Sequence, residues 1–315
     1  MSSVIHLLGD GLAGTLLARE LDGRGLAFRQ YGDGATNTPP VGFVHLFQGR
    51  TFHRDPLEVE VFKKAIEVWS AEPLAVERPV VRTVKKGDRL YRSASSDTVP
   101  AEFRPHLLSE DEGEGVRYGY GPGFVVAAGE LLKRTQEESG RVLGPRVDHS
   151  ILDGVVIHAC GLDIENLLPS YRWDTNPGRT VEAHAEASSE VQVRSLILHQ
   201  GCHLGSAVQQ SGFTVGGRVS SKGEAKNDEQ RIAASLLGCR VSVSSQWWGK
   251  RIANALDRWP LIGWLNRRDF AFAGFGGRAL FWLPYCVELA AEALREGHNE
   301  GIPERLRADR FGERE

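Results

Sequence analysis

Val4-Ile-His-Leu-Leu-Gly9-Asp10-Gly11-Leu12-Ala13-Gly14-Thr-Leu-Leu-Ala-Arg-Glu-Leu21 is the stretch whose reading decides the fold. An apolar run enters Gly-x-Gly-x-x-Gly, and a helix-like segment follows at once. Strand, tight turn and helix in that order are the context in which a glycine pattern of this kind carries meaning. Gly9 permits the turn, Gly11 leaves room for backbone to approach a pyrophosphate, and Gly14 lets the helix lie close to the strand. The amides that open the helix face the phosphates, helped by the helix dipole. A dinucleotide-binding α/β domain at the start of the chain is therefore expected.

The acid that completes such a motif stands about 20 residues on, at the end of the second strand, where it bonds the ribose hydroxyls. That strand is read over Leu26 to Tyr31, followed by Gly32-Asp33-Gly34. The acidic position falls on Gly32, with Asp33 one place later. Three readings stay open: Asp33 reaches the ribose after a local shift, backbone and water hold the ribose, or the site is degenerate. In a fourth, the glycines serve packing alone.

The chain has 315 residues, enough for a large core and for two interleaved domains. Lys plus Arg number 38 against 41 Asp plus Glu, a net charge of -3, so no global field for polyanions is implied. That balance argues against a nucleic-acid partner. No charge-free run reaches transmembrane length, and the apolar start is too short, and lacks the basic region, for a signal peptide. Cys160, Cys202, Cys239 and Cys286 are scattered without metal-ligand spacing. A soluble cytoplasmic protein without a metal or membrane partner is expected; an oligomer is compatible with all of this.

Further along, residues 42–50 read as a loop leaving the first βαβ unit. A helix is expected over Leu57 to Trp69, since Val61, Phe62, Ile66 and Trp69 recur at helical spacing. Pro79 to Tyr91 alternates as strands do, turning at Lys85-Lys86-Gly87-Asp88. Ser93 to Gly115 is polar, acidic and turn-rich, an expected exposed excursion. A helix over Ala127 to Glu138 and short strands at 141–143 and 153–161 follow. Residues 191–219 and 240–246 read as antiparallel strands separated by a helix over Asn227 to Leu237. The last helix is expected from Leu283 to Glu296, with a charged, frayed tail from Glu304.

Four pieces occur in one order: the first glycine turn, Ala159-Cys160-Gly161, Asp257-Arg-Trp-Pro-Leu-Ile-Gly263, and Gly274-Phe-Gly-Gly-Arg-Ala-Leu280. Pro284-Tyr285 then opens the last helix. In this combination the chain resembles the D-amino-acid oxidase superfamily of FAD-dependent amine oxidoreductases. That group includes glycine oxidase, sarcosine oxidase and a domain that trims a modified wobble uridine in tRNA. The compact bacterial members carry a Gly-Arg turn, here Gly49-Arg50. The likeness spans most of the chain, with residues 171–249 matching loosely.

The resemblance implies an α/β fold, an α+β composite in which a Rossmann-like FAD-binding domain interleaves with an antiparallel-sheet substrate domain. The FAD-binding domain would take 1–55, 115–170 and 250–315, and the substrate domain 56–114 and 171–249. Gly9, Asp10, Gly11, Leu12, Ala13 and Gly14 would hold the pyrophosphate, with Asp33 standing in for the ribose-binding acid. Thr36 and Gly42 would pass beside the phosphates and ring. Val147, on a strand after the middle helix, would give backbone to the adenine, and Ala159 and Gly161 would close over the cofactor. Gly276, Gly277, Arg278, Ala279 and Leu280 would lie along the ribityl chain and the pyrimidine edge of the flavin.

The chemistry so implied is oxidation of a C–N bond in an amino acid or secondary amine, with hydride passing to flavin N5 and oxygen or another acceptor taking the electrons. The protein's task is to orient the substrate. Arg251 matches the carboxylate clamp, for which a guanidinium fork is suited. Tyr118, Tyr120, Trp247 and Trp248 are candidate pocket walls. Each has a plainer account: Arg251 and Arg278 as surface ion-pair residues, and the Trp pair as one core and one exposed ring on a strand. His45 and His158 read as packed or hydrogen-bonded histidines. Two other classes of function also stay open, a catalytically degenerate binding or assembly subunit and the oxidative trimming of a modified nucleotide.

Overall fold

A computed structural model describes residues 4–34, 38–48, 52, 54–84, 99–111, 115–140, 143–145, 147–185, 194–199, 202–206, 212–218 and 228–311. In chain order the elements begin β1 (Ile5–Leu8), α1 (Leu12–Gly23), β2 (Phe28–Tyr31), β3 (Gly42–His45), α2 (Pro56–Ala71) and β4 (Ala75–Val84). Next come β5 (His106–Asp111), β6 (Gly115–Val126), α3 (Ala128–Ser139), β7 (Val155–His158), α4 (Ile164–Leu167) and β8 (Trp173–Ala185). The chain continues through β9 (Leu196–His199), β10 (Cys202–Gly205), β11 (Phe213–Arg218) and α5 (Asp228–Leu237). It ends with β12 (Val241–Asn254), β13 (Leu261–Trp264), β14 (Asp269–Ala273) and α6 (Ala279–Glu296).

Contacts divide the chain into two units, one of residues 1–38, 129–176 and 250–315, the other of 39–128 and 177–249. Two of the four divisions fall inside β8 and β12. The first unit is built on a five-stranded sheet in the order β13-β14-β7-β1-β2, parallel except for β13. Its inner strands are mostly apolar because helices need both faces: β1 is buried at all four positions, His6 included. α1 turns Leu16, Leu17 and Leu21 inward, and α6 is apolar almost all round, as a fully packed helix is. α6 ends at Gly297 in the left-handed conformation (φ 80°).

The second unit carries a nine-stranded sheet with the path β12-β8-β11-β10-β9-β4-β6-β3, and β5 pairs with β6 off this path. All pairs with a register there are antiparallel except β4–β9. α2 starts on Asp55, whose carboxylate accepts from Leu57 N (3.0 Å), with Pro56 as its first residue. The expected mixture of a parallel α/β sheet and an antiparallel sheet is thus the observed fold.

Several expectations are corrected. Residues 42–45, read as a loop, form β3 and pair with β6; four residues are too few for alternation to declare itself. With β6 they belong to the antiparallel unit, which shortens the segments expected at 1–55 and 115–170. The excursion from Ser93 is exposed over residues 106–111, as expected, but contains a strand, β5, that pairs with β6. α6 begins at Ala279, so Pro284 lies inside it rather than at its start; burial of Leu280, Phe281, Trp282 and Leu283 offsets the missing amide. Leu143 and Val147 are on no strand, and only Gly144 makes a bridge, to Tyr31.

The tail beyond Glu304 is also ordered as far as Phe311, with Leu306 and Ala308 buried. Arg310 fixes it, donating to Asp257 Oδ2 (3.0 Å), Asp257 Oδ1 (3.1 Å) and Pro260 O (3.1 Å). The Asp257–Gly263 motif is therefore held by the tail. The turn at 85–88, Thr36, Gly49 and Arg50 lie outside the described residues.

Candidate functional site

In an open parallel sheet, ligands bind beyond the carboxyl ends of the strands. In the first unit, four turns leave that edge: Gly9–Gly11 after β1, Gly32–Gly34 after β2, Ala159–Gly161 after β7, and Gly274–Arg278 after β14. The structure thus gathers from distant parts of the chain most residues that the sequence singled out.

Gly9 has φ 119°, and a Cβ there would stand 2.2 Å from Ala159 O, so backbone from the β7 turn occupies the space of its side chain. The two turns are tied by Ala159 N donating to Leu8 O (2.8 Å) and the Cys160 thiol donating to the same oxygen (3.2 Å). At Gly14 a Cβ would meet Gly9 O at 2.2 Å, the close helix–strand approach the motif calls for. A Cβ on Gly11 or Gly161 would meet nothing within 4 Å, so both present bare backbone to open space.

Sequence reasoning missed the polar side chains that brace this turn. Gln30 Nε2 donates to Gly9 O (2.9 Å), Gln136 Nε2 to Asp10 O (2.8 Å), and the Thr15 hydroxyl to Asp10 O (3.0 Å). The signal for Gln30 was a polar residue at the one buried position of β2. For Gln136, on α3, no local signal existed.

Helices α1 and α6 both start at this edge without a side-chain cap and without an acid in the first turn. Both helix starts present partial positive charge at this edge, and among the described residues no side chain accepts from the leading amides of α1. Ala279 and Leu280 open α6, half-buried and buried respectively, directly after the exposed Gly277. Arg278 sets its guanidinium over the Trp282 ring (5.2 Å) and donates to Arg258 O (3.3 Å), so its charge stabilises the turn from outside. Asp33 is exposed, whereas Asp10 is buried (6 % exposed). Val147 is half-buried in a loop.

Arg251, near the end of β12, is the notable charge. It is half-buried, burial pushes its guanidinium below the ordinary arginine value, and it has no hydrogen-bond or ion-pair partner among the described residues. Its Nη1 lies 3.2 Å from where a Cβ of Gly277 would stand, against the turn that opens α6. A desolvated guanidinium without an anion is costly, and such a group marks a place for an anionic ligand.

The second unit holds Tyr118, Tyr120, Gly42 and the Trp pair. Tyr118 and Tyr120, two apart on β6, share a buried face with Phe47 and Phe52; Tyr120 meets Phe47 edge-on at 4.8 Å and Tyr118 meets Phe52 at 5.4 Å. The Tyr120 hydroxyl contacts His45 Nδ1 (3.2 Å), and His45 Nε2 faces His203 Nε2 (3.3 Å). Burial pushes the Tyr120 phenol up to about 12 and holds His45 well below the usual histidine value, with the neighbouring His203 adding to the latter. Both tyrosines are thus closely packed side chains.

Gly42 is a ladder residue of β3 opposite Val126. Trp247 is half-buried, and Trp248 is exposed beneath the Arg179 guanidinium (5.1 Å). In the first unit His158 is buried and bonds Asp269 Oδ1 through Nε2 (2.9 Å), as a structural histidine does. No helix among the described residues is long and apolar enough to cross a membrane.

The sequence matches no family model, and no curated protein matches it. Solved structures do. Iminodiacetate oxidase from Chelativorans sp. BNC1 superposes with a TM-score of 0.70 at 15 % identity, covering 95 % of this chain and 97 % of its own. Glycine oxidase from Geobacillus kaustophilus gives 0.71 at 15 %, covering 94 % and 95 %. Fructosamine oxidase (Amadoriase II) from Aspergillus fumigatus gives 0.71 at 16 %, covering 98 % and 90 %. The fold expected from the resemblance is therefore the fold found, over nearly the whole chain.

Proposed function

We propose that the chain binds FAD along the carboxyl edge of the parallel sheet and oxidises the C–N bond of an amino acid or carboxylate-bearing secondary amine. The observation that carries this is Arg251, a desolvated guanidinium without a partner among the described residues, lying against the turn that opens α6. The residues present fit the cofactor. Gly11 and Gly161 bare their backbone to open space, and the two uncapped helix starts suit a pyrophosphate and an electron-rich ring edge. When bound, FAD supplies the hydride acceptor, and oxygen or another oxidant takes the electrons onward.

The chain's own part is positioning. Gly9, Asp10, Gly11, Leu12, Ala13 and Gly14 hold the pyrophosphate with Ala159 and Gly161 beside them; Gly276, Gly277, Arg278, Ala279 and Leu280 line the flavin end. Arg251 grips the substrate carboxylate with two parallel hydrogen bonds, fixing the α-carbon in one orientation. A carboxylate there also relieves the unpaired cation, so binding is selective for acids over simple amines.

The purified protein is expected to take up FAD near stoichiometry, read from flavin absorbance, and to oxidise a member of a panel of glycine, N-methyl and larger amino acids. Arg251→Ala is expected to lower kcat/KM by about 100-fold, the scale of a lost bidentate charged pair, mostly through KM and with FAD still bound. Protein that takes up no FAD, or an Arg251→Ala variant with unchanged KM, would overturn the reading. FAD uptake without turnover of any amine would instead assign a binding subunit.

A further inference from the structure

The β2 end lacks its acid, yet a carboxylate is there. A Cβ built on Gly32 would stand 2.2 Å from Asp10 Cγ, 2.4 Å from Asp10 Oδ2 and 2.5 Å from Asp10 Cβ. The Asp10 side chain, from the middle of the first glycine turn, therefore fills the volume that a side chain at position 32 would take. It is more than nine-tenths buried, and Gly34 N donates to its Oδ2 (2.7 Å). Thr15 and Gln136 pin its own carbonyl from the other side. Oδ1 accepts no hydrogen bond among the described residues. Oδ1 keeps contact with solvent, so a hydroxyl of a ligand can reach it and donate to it.

We infer that Asp10 is the ribose-binding acid of this chain, its Oδ1 accepting from the ribose hydroxyls of the adenosine half. This rests on the FAD reading above. The acid has moved across the turn, from the end of β2 to the second position of Gly9-Asp10-Gly11, and Gly32 is glycine because Asp10 occupies its space. The exchange is mutual: an acid at 32 would collide with Asp10, and Asp10 removed would leave the site without an acceptor. Asp33, exposed one residue later, is not needed for the role.

The test is competition against bound FAD by ADP and by 2′,3′-dideoxy-ADP, followed by flavin fluorescence on the full chain. Wild type is expected to favour ADP by about 10-fold or more, the scale of a hydrogen bond to a charged group. Asp10→Asn, which keeps an acceptor for Gly34, should narrow that preference several-fold without lowering the melting temperature. Gly32→Glu alone should weaken FAD binding, and the double variant Asp10→Ala with Gly32→Glu should recover both FAD binding and the preference for ADP. Equal preference in wild type and Asp10→Asn, or no preference in a wild type that binds FAD, would overturn the role of Asp10 alone. Failure of wild type to bind FAD at all would overturn both readings.

Discussion

At the scale of single residues, the first glycine turn is determined by what its neighbours leave no room for. Gly9 is held twice, by a backbone conformation (φ 119°) that side chains rarely adopt and by Ala159 O at 2.2 Å from a hypothetical Cβ. Gly9→Ala is expected to cost about 2–5 kcal/mol, combining left-handed strain with overpacking against backbone that cannot yield. Urea unfolding with an unchanged m-value would report it; a loss under about 0.5 kcal/mol would contradict the packing described. Gly32 is a different case. Its space is closed by a side chain rather than by backbone, so a change at position 10 reopens it. The sequence shows a missing acid there, and only the fold shows a present one 22 positions away along the chain.

At the scale of elements, the end of the chain is the clearest lesson. The stretch from Glu304 is rich in charge and reads as frayed, because local composition is all a sequence pattern sees. Its order comes from Arg310, buried at its side chain and bonded to both oxygens of Asp257. Arg310→Ala is expected to cost about 1.5–3 kcal/mol, as a charge-assisted pair lost from a mostly buried site does, and to expose the last helical turns to proteolysis. Unaltered stability and cleavage would show the clamp to be incidental. Pro284 makes the same point in α6: a residue read as opening the helix lies inside it, because the buried turn before it extends the helix backwards. The long periodic elements α2 and α3 were legible with ends within a few residues. β3 and β5 were not, because their partner strand β6 defines them.

For the whole molecule, two buried histidines make stability depend on pH. Burial lowers His45, with His203, Arg82 and Arg54 adding to it, and burial lowers His158 against the opposing pull of Asp269. A base whose folded pKa is depressed binds fewer protons folded than unfolded, between the folded value and the ordinary 6.5. Stability is then fully present above 6.5 and is lost as pH falls below it, at up to about 1.4 kcal/mol per pH unit for each histidine. Urea midpoints between pH 7.5 and 5, roughly the range in which histidine titrates, are expected to fall accordingly. His45→Gln should flatten the slope, and an unchanged slope would remove His45 from the account.

The sequence by itself determined the strand–turn–helix that begins the chain, the alternation of a parallel α/β core with antiparallel strands, and the order of short motifs that resembles the amine oxidoreductases. These depend on local periodicity and on glycines whose reasons lie within a few residues. The tertiary structure alone decided which turns meet at the carboxyl edge of the sheet, that Arg251 is desolvated and has no partner among the described residues, and that Asp10 stands in the space of residue 32. Those properties depend on distance between residues far apart in the chain and on the loss of water around them. Neither is encoded in spacing, so neither was readable until the chain was folded.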